Sequence, residues 1–595
     1  MVFESVDWAV LVVYVSATLG IGLWAARRSD ASSSWFFLAG RSQPWWLLGV
    51  SMVATTFSTD TPNLVADITR NHGVAGNWVW WAFLLTGMLT TFVYAGLWRR
   101  SGVLTDLEFY ELRYSGRPAA FLRGFRAFYL GVFFNVMMMA TVSLAAIKIG
   151  GVLFALSPVE TLAIAATVTV VFSTAGGLTG VLLTDLLLFV LAMSGAVIAA
   201  VYAVGHPDVG GLGPLLTHPA VADRLALVPD FGDPSTFVPL FLVPLAVQWW
   251  AAWYPGAEPG GGGYVAQRML AARNERHAVG ATLLFNLAHY ALRPWPWILV
   301  ALASLVVFPD LDALAGAFPH VDPSVLGHDL AYPAMLTFLP SGMLGLVVGS
   351  LAAAFMSTLS SHLNWGSSYM AHDLYRRFVD PEAGEKQLVR VGRVSTVLLM
   401  GLAAAVALSL ESALGAFQIL LQIGAGTGLL FLLRWFWWRV NAWSEAAAMT
   451  VSFLVALVFH VTESGWQPWQ ELVAGVAITT VAWVAVTFLT PPTDQDVLRD
   501  FYRRVRPAGP GWRSVMAGAA ADGESLPAST DDLASAFLAM FLGCAMVYGA
   551  LFATGYALFG RFVAALLWAG ASALCVVLMF KLWPRLVSAD GDASR

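Results

Sequence analysis

Runs of about 20 apolar residues recur along the whole chain, and they limit it to an all-α polytopic membrane protein. A helix of that length crosses the ~30 Å hydrocarbon core of a bilayer, where only helices and closed barrels satisfy their backbone polar groups. Hydrophobic residues make up 58% of the 595 residues, charged residues make up 12%, and mean hydropathy is +0.70. The sequence predicts about fifteen transmembrane helices, at 6–26, 44–69, 76–98, 124–150, 158–176, 178–204, 236–256, 277–308, 333–372, 388–409, 413–435, 440–462, 468–490, 533–558 and 561–583.

The charges around these runs predict how the chain is oriented. Glu4 and Asp7 precede the core of the first run and Arg27 and Arg28 follow it, the reverse of a cleaved signal peptide. We therefore expect a retained helix with its N-terminus outside the cell. Alternation from there leaves most of the 32 Lys and Arg residues in cytoplasmic segments, as the positive-inside rule requires. The prediction is a multi-pass protein of the plasma (inner) membrane with a cytoplasmic C-terminus.

Composition excludes several other classes of function. The basic residues are a topology signal and the net charge is −5, so we expect no nucleic-acid partner. Cys544 and Cys575 both lie in the last two apolar runs and are interpreted as packing residues. We find no phosphate-binding loop, paired-histidine metal motif or nucleophile elbow. The sequence therefore predicts neither an enzyme nor an organic cofactor.

The apolar runs fall into two groups of five, at 44–204 and 236–435. Because five is odd, the second group is inverted relative to the first, which is the plan of many secondary transporters. The other predicted segments are an N-terminal accessory helix and loop (1–43), an outer loop (205–235), accessory helices (436–490), a partly disordered cytoplasmic linker (491–532) whose arginines meet lipid headgroups, a helix pair (533–585) and a tail (586–595).

Each group opens with a predicted interruption. Thr61-Pro62 interrupts the first helix of one group, and the glycine-rich stretch 254–263 ends the apolar part of the first helix of the other. Corresponding breaks in two halves indicate a binding site near the membrane midplane. The alternative for the glycine-rich stretch is an ordinary cytoplasmic loop.

A cluster of hydroxyls occupies the ninth run. Ala354, Ser357, Thr358 and Ser361 follow the i, i+3, i+4, i+7 spacing, so they share one helix face. Oxygen atoms converging inside a membrane suit a small hard cation. Alternatively, the hydroxyls bond to carbonyls of their own helix or allow close helix packing.

Four segments together resemble the sodium:solute symporter family, which includes sodium-coupled sugar, proline and pantothenate transporters. The resemblance covers about residues 6–490. Its segments are Phe37-Leu38-Ala39-Gly40-Arg41-Ser42 with Pro44-Trp45-Trp46, Gly176-Gly177-Leu178-Thr179-Gly180-Val181 with Thr184-Asp185, Tyr264 to Arg268, and the hydroxyl run 357–361 with Asn364. It implies the leucine-transporter type of inverted five-helix repeat, with one helix before it and about four after it.

The resemblance also implies ion sites. The principal sodium site would use the carbonyl oxygens of Ala54, Phe57 and Ala354 and the hydroxyls of Ser357 and Thr358. A possible second sodium site would use Thr55, Asp185, Thr358 and Ser360; the alternative is that Asp185 caps a neighbouring helix or holds a water molecule. Sodium is thus the expected coupling ion.

The substrate is expected beside the sodium ion, where polar and aromatic groups lie near the breaks. An acid at this depth is costly unless it meets a cation, a donor or water, which favours Asp60. Arg293 is alternatively a structural partner of Asp60 or Glu258, and the tryptophans alternatively belong to an aromatic belt. The predicted substrate-binding residues are Asp60, Thr61, Trp250, Trp253, Glu258, His289, Arg293 and Gln422.

The predicted function is sodium-coupled import of a small polar organic solute by alternating access. In place of the acidic-then-glutamine pair of sugar carriers the chain has Asp60-Thr61, and Trp80-Trp81 occupy positions of polar contacts. Sugars and zwitterions such as amino acids both stay open as substrates. The alternative functions are a membrane solute sensor and a sodium-independent channel.

Overall fold

The structure is a computed structural model that describes residues 3–29, 33–251, 258–410, 413–462 and 464–586. Throughout these residues the regular structure is helical, apart from one isolated β-bridge between Gln43 and Ala272. In the described part of the chain, ten helical segments are long and apolar enough to cross a membrane, and five apolar helices are shorter. The all-helical, multi-pass architecture is therefore confirmed, whereas the count of fifteen spans stays a prediction.

The N-terminal half builds the first group of core helices. Its longer helices contain π-helical turns at Thr90–Tyr94 and Tyr129–Phe134. The helices are α1 Ser5–Ser29, α2 Ser33–Leu38, α3 Trp45–Thr56, α4 Asp60–His72, α5 Trp78–Trp81, α6 Leu84–Leu89, α7 Ala95–Ser101, α8 Glu108–Arg113, α9 Gly116–Phe128, α10 Asn135–Phe154 and α11 Pro158–Val204.

The second half continues with shorter loop helices and further spans. A 3₁₀ turn at Gln248–Trp250 and π-helical turns at Ala288–Leu292 and Tyr369–Val379 interrupt or extend them. The helices are α12 Leu212–Thr217, α13 Pro219–Ala222, α14 Pro234–Phe237, α15 Val243–Ala246, α16 Gly263–Ala271, α17 Glu275–Leu287, α18 Pro294–Val307, α19 Leu311–Ala317, α20 Ala331–Leu336, α21 Met343–Ser368, α22 Glu385–Ala407, α23 Ala413–Leu433, α24 Ala442–Thr462, α25 Pro468–Leu489, α26 Gln495–Val505, α27 Arg513–Ala521, α28 Leu533–Leu558 and α29 Phe562–Leu586.

The helical stretch α11 contains both apolar runs predicted at 158–176 and 178–204. In a straight helix Val168 and Asp185 would lie about 25 Å apart, at 1.5 Å per residue. Val168 nevertheless packs against the cluster that contains Phe355 and Met356, and Asp185 accepts a hydrogen bond from Ser357. Both parts of α11 therefore lie near α21.

The first core helix breaks earlier than predicted. Helix α3 ends at Thr56, Phe57 has non-helical angles (φ −89°, ψ 77°), and α4 begins at Asp60. Pro62 lies in the first turn of α4, where its missing N–H costs no helical hydrogen bond. The break is thus at Phe57–Thr59 rather than at Thr61-Pro62.

The helix that opens the second group is also interrupted. Its first part ends with the turn at Gln248–Trp250, and α16 begins at Gly263 after the non-helical residues 258–262. Residues 252–257 lie outside the described residues. The interruption agrees with the glycine-rich stretch identified in the sequence.

The linker at 491–532 is more ordered than predicted. It contains α26 and α27, and Phe501 and Trp512 are both 0% exposed. Trp512 Nε1 donates to the carbonyl oxygen of Trp435 (2.9 Å). Its arginines form ion pairs with acids of the linker itself, such as Arg499 with Asp522. Burial of aromatic side chains is what orders a segment whose composition alone is typical of disorder.

Candidate functional site

Two neighbouring hydroxyls on α21 join three helices at the break. Thr358 Oγ1 donates to the carbonyl oxygen of Thr55 on α3 (2.8 Å), and Ser357 Oγ donates to Oδ1 of Asp185 on α11 (2.5 Å). Ser51 Oγ on α3 donates to the other carboxylate oxygen of Asp185 (2.5 Å). All these side chains are buried, so their hydroxyl oxygens lie in the protein interior.

The end of α3 adds backbone oxygens to this cluster. The Phe57 N–H donates to the carbonyl oxygen of Ala54 (3.0 Å), and the helix then ends. Ala354 precedes Thr358 by one turn of α21, on the same face. The structure therefore brings together the elements that carry Ala54, Phe57, Ala354, Ser357 and Thr358. Carbonyl and hydroxyl oxygens of this kind are ligands for a small hard cation.

The residues predicted for a second ion divide into two sets. Thr358 bonds the carbonyl oxygen of Thr55, whose hydroxyl is 2.9 Å from that of Ser361, whereas Asp185 bonds Ser51 and Ser357. Ser360 Oγ instead donates to the carbonyl oxygen of Ser357 in its own helix (3.0 Å). The second hydroxyl donor to Asp185 is Ser51, which our sequence reasoning missed. The available signal was its position four residues before Thr55, on the same face of α3.

Arg268 on α16 completes the polar network and was also missed as a site residue. Its Nη2 donates to Ser361 Oγ (2.7 Å) and its Nε to Ser51 Oγ (3.3 Å). Its Nη1 donates to Oε1 of Gln267 (2.9 Å), whose own amide donates to Asn364 Oδ1 (3.1 Å). Arg268 is 0% exposed. A guanidinium therefore lies inside the hydroxyl cluster, in the last turn of the helix that follows the second break.

Asp106, in the segment between α7 and α8, anchors the same helix from outside the spans. Its carboxylate accepts hydrogen bonds from the backbone N–H of Gly263 (2.7 Å) and from the Tyr369 hydroxyl. Burial raises the pKa of Asp106 to about 6, against the opposing effect of these two hydrogen bonds. The first turn of α16 is thereby held beside the break.

Thr56 links the first break to two predicted substrate residues. Arg293 Nη1 donates to Thr56 Oγ1 (2.8 Å) and His289 Nδ1 lies 3.1 Å from it. Arg293 also stacks on the ring of Phe57 (5.4 Å). These contacts make Arg293 a neighbour of the break.

Asp60 is the first residue of α4, directly after the break. Asp60 is 8% exposed, and its carboxylate accepts a hydrogen bond from the Ser58 hydroxyl. Thr61 Oγ1 donates back across the break to the carbonyl oxygen of Thr56 (3.3 Å). Asp60, Thr61, His289 and Arg293 are thus all held around one unwound segment.

One other predicted substrate residue, Gln422, lies on the wall of a larger space. A cavity of about 970 Å³ is lined by Gln248, Gln418 and Gln422, together with residues of α4 and of the α24–α25 turn. Gln422 Nε2 donates to Oε2 of Glu471 (3.2 Å). Trp250, half-buried, lies beside Gly428 one to two turns along the helix from Gln422. Trp253 falls outside the described residues.

The structure does not bring Glu258 together with those residues. Its carboxylate forms an ion pair with Arg126 and lies 3.9 Å from Nη2 of Arg434. Arg434 also contacts Glu445 (3.4 Å), and the Tyr114 hydroxyl donates to Glu445 (2.5 Å). This buried arginine–glutamate cluster connects α8, α9, α23 and α24 with the second break.

Known proteins with similar sequences and folds agree with this architecture. The family model described as "Sodium:solute symporter family" matches residues 36–452. The sodium/glucose cotransporter of Vibrio parahaemolyticus is 26% identical over 505 residues, 82% of this chain and 91% of that protein. The sodium/mannose cotransporter of Bos taurus is 28% identical over 484 residues, 75% of this chain and 78% of its own length.

A similar fold occurs in a solved structure of a Na⁺-coupled sialic acid symporter in its substrate-bound outward-open state. The TM-score is 0.67 at 21% sequence identity, over 83% of this chain and 99% of that one. This likeness concerns the fold. Because the family model covers well over half of the 595 residues, the chain belongs to the sodium:solute symporter family.

Proposed function

We propose that this protein imports a neutral, hexose-like sugar together with sodium, by alternating access. The family consists of transporters rather than enzymes, and sodium is its coupling ion. The observation that carries the proposal is the pair of contacts from Ser357 and Thr358 to Asp185 and the broken helix. An ion bound there would hold α3, α11 and α21 in one arrangement.

We assign the principal sodium site to Ala54, Phe57, Ala354, Ser357 and Thr358. Each of the two hydroxyls now donates to an oxygen, so sodium binding requires them to turn their lone pairs toward the ion. A second sodium is assigned to Asp185 with Thr55 and Thr358, and Ser360 would join it after releasing its bond to Ser357. Two sodium ions per solute follow from this assignment.

The helical order supports fifteen spans built on an inverted repeat. The ten long and five shorter apolar helices match the predicted runs in order along the chain. The proposed repeats are 44–204 and 236–435, with accessory helices at 1–43, 436–490 and 533–585. We place the N-terminus outside and the C-terminus in the cytoplasm of a cell membrane.

The two ends of the helix bundle differ: a cavity lies at one end and the arginine–glutamate cluster at the other. With the proposed orientation, the 970 Å³ cavity opens outward, and it lies at the upper end of the ~300–1,000 Å³ typical of small-molecule sites. The pairing of Glu258 with Arg126 and Arg434 closes the cytoplasmic end. A solute would pass Gln422 and Trp250 and reach Asp60, His289 and Arg293 at the break.

The choice of a neutral sugar rests on the cavity wall and on the relatives. Four glutamine amides, the Trp469 indole and the Glu471 carboxylate line the cavity together with His72 and His460, and no lysine or arginine is among its described lining residues. Amides and carboxylates bond hydroxyl groups, and an indole face packs on a sugar ring. The two curated relatives are cotransporters of glucose and mannose.

Uptake into proteoliposomes tests the proposal. Purified protein is reconstituted, and labelled D-glucose, D-mannose and L-proline are each offered under an inward sodium gradient or with choline in place of sodium. We expect sodium-dependent accumulation of a hexose. Accumulation of proline would replace the sugar by a zwitterion, sodium-independent equilibration would indicate a channel, and the absence of any flux would favour a sensor.

A further inference from the structure

The carboxylate of Asp185 is buried without a direct ionic partner among the described residues. It is 0% exposed and accepts two short hydrogen bonds, from Ser51 and Ser357. A buried carboxylate is costly unless a positive charge compensates it. Hydroxyls reduce this cost but bring no charge.

The nearest compensating cation in the hydrogen-bond network is Arg268. Its Nε donates to Ser51 Oγ (3.3 Å), and the same hydroxyl donates to Asp185 Oδ2 (2.5 Å). A single serine oxygen therefore separates the guanidinium from the carboxylate. The other guanidinium nitrogens bond Ser361 and Gln267, so the group spans from α3 to α21 and is held in place by both.

A sodium ion at Asp185 and the guanidinium of Arg268 would neutralise the same buried charge. The two cations repel each other at this range, since Coulomb interactions are strong at a buried, low-dielectric site. Sodium entry therefore favours movement of Arg268 away from Asp185, and sodium departure favours its return. Because Arg268 lies in the last turn of α16, the helix that follows the second break, such movement would shift α16.

We propose that Arg268 is the internal counter-charge of Asp185 and takes the place of sodium when the ion leaves. This role rests on the proposed sodium coupling. It makes Arg268 a positioning residue for the transport cycle: the empty carrier returns with its carboxylate compensated, and sodium occupancy is transmitted to α16. A planar guanidinium with five donors suits this task, because it keeps several hydroxyl partners while its distance to one acceptor changes.

A merely structural role for Arg268 predicts a different effect of its removal on sodium binding. If the guanidinium competes with sodium, its removal strengthens sodium binding. If it only holds helices together, its removal weakens sodium binding or leaves it unchanged. Sodium affinity therefore separates the two roles.

The experiment uses the purified full-length protein with sodium alone as the probe. The thermal unfolding midpoint is followed over a sodium series in which choline keeps the ionic strength constant. For Arg268→Gln we expect the half-saturating sodium concentration to fall by about tenfold or more, within the ~5- to 150-fold range usual for coupled sites. Arg268→Lys, which keeps the charge, should stay close to the wild type.

A matched control is available at another buried arginine. Arg70 is 2% exposed and donates to Ser304 Oγ (2.9 Å) and to the Phe308 carbonyl oxygen (2.8 Å), away from the hydroxyl cluster. Arg70→Gln should leave the half-saturating sodium concentration unchanged. An equal shift in this control would show that the effect is general loosening, and would overturn the proposal.

The double variant keeps the test decisive if Arg268→Gln alone does not fold. Asp185→Asn combined with Arg268→Gln is neutral at both positions, so we expect it to fold, and to melt higher in the absence of sodium than Asp185→Asn alone. Failure of this rescue, or unchanged or weaker sodium binding by Arg268→Gln, would overturn the proposal. A wild-type protein that does not respond to sodium would instead overturn the proposed sodium coupling.

Discussion

Removal of the Thr358 hydroxyl tests the principal sodium site. In the structure Thr358 Oγ1 donates to the carbonyl oxygen of Thr55 (2.8 Å), and both residues are 0% exposed. Thr358→Ala removes this interhelical hydrogen bond together with one of the five proposed sodium ligands. The substitution therefore affects both stability and ion binding, but to different extents.

The two effects differ in size. Hydrogen bonds between membrane helices contribute on average only ~0.6 kcal/mol to stability. A buried polar contact to a charged group contributes ~1.5–3 kcal/mol, which corresponds to a loss of about 10- to 150-fold in affinity. We therefore expect Thr358→Ala to raise the sodium concentration for half-maximal uptake by at least about tenfold, with a small change in the unfolding midpoint.

The measurement is solute uptake into proteoliposomes over a series of sodium concentrations. Thr358→Ser keeps the hydroxyl and should stay near the wild type. Thr396 supplies a matched control, because it is buried and its hydroxyl bonds only the Gly392 carbonyl oxygen of its own helix (3.0 Å). If Thr358→Ala has the same sodium dependence as Thr396→Ala, Thr358 is not a sodium ligand and the assignment of the site is wrong.

Three further variants test other parts of the molecule. Asp60→Asn should weaken solute binding at least about tenfold while changing half-saturating sodium little, and equal losses of both would remove Asp60 from the substrate site. Glu258→Gln breaks the ion pair with Arg126. The reporter is a cysteine introduced as Thr427→Cys, at a position that lines the small cavity beside Glu258, and a thiol reagent on the cytoplasmic side should label it faster in the Glu258→Gln variant. An unchanged labelling rate would argue against a gate there. Trp512→Ala removes a fully buried ring, at a typical cost of ~3–5 kcal/mol of stability. Trypsin should therefore cleave the linker faster in this variant than in the control Trp466→Ala, whose ring is 54% exposed. Equal cleavage rates would show that Trp512 does not hold the linker in place.

Local patterns in the sequence identified the breaks and the hydroxyl face. Proline, β-branched residues and an acid close together predicted an interrupted helix, and the structure differs only in placing the break at Phe57–Thr59. The reason for the difference is that proline is tolerated in the first turn of a helix. The shared face of Ser357, Thr358 and Ser361 followed from helical spacing alone.

The partners of these groups could not be predicted in the same way. Asp185 meets Ser51, 134 residues away in sequence, and Arg268 meets Ser361, 93 residues away. Pairings at such separations depend on how the helices pack, which spacing within one segment does not encode. In addition, the positive-inside rule treats cytoplasmic arginines as a topology signal, and this interpretation concealed the fact that Arg126, Arg268 and Arg434 are buried.

Buried ion pairs at both ends of the bundle suit a protein that opens alternately. At one end Glu258 pairs with Arg126; at the other, Lys148 Nζ lies 2.6 Å from a carboxylate oxygen of Asp329. The net stability from such a pair is small, because desolvation offsets most of the attraction. Opening an end lets water replace each partner, so a gate made of a buried pair separates at a lower cost than one made of packed apolar side chains. A helix-joining pair at each end therefore specifies the closed arrangement of that end without preventing its opening.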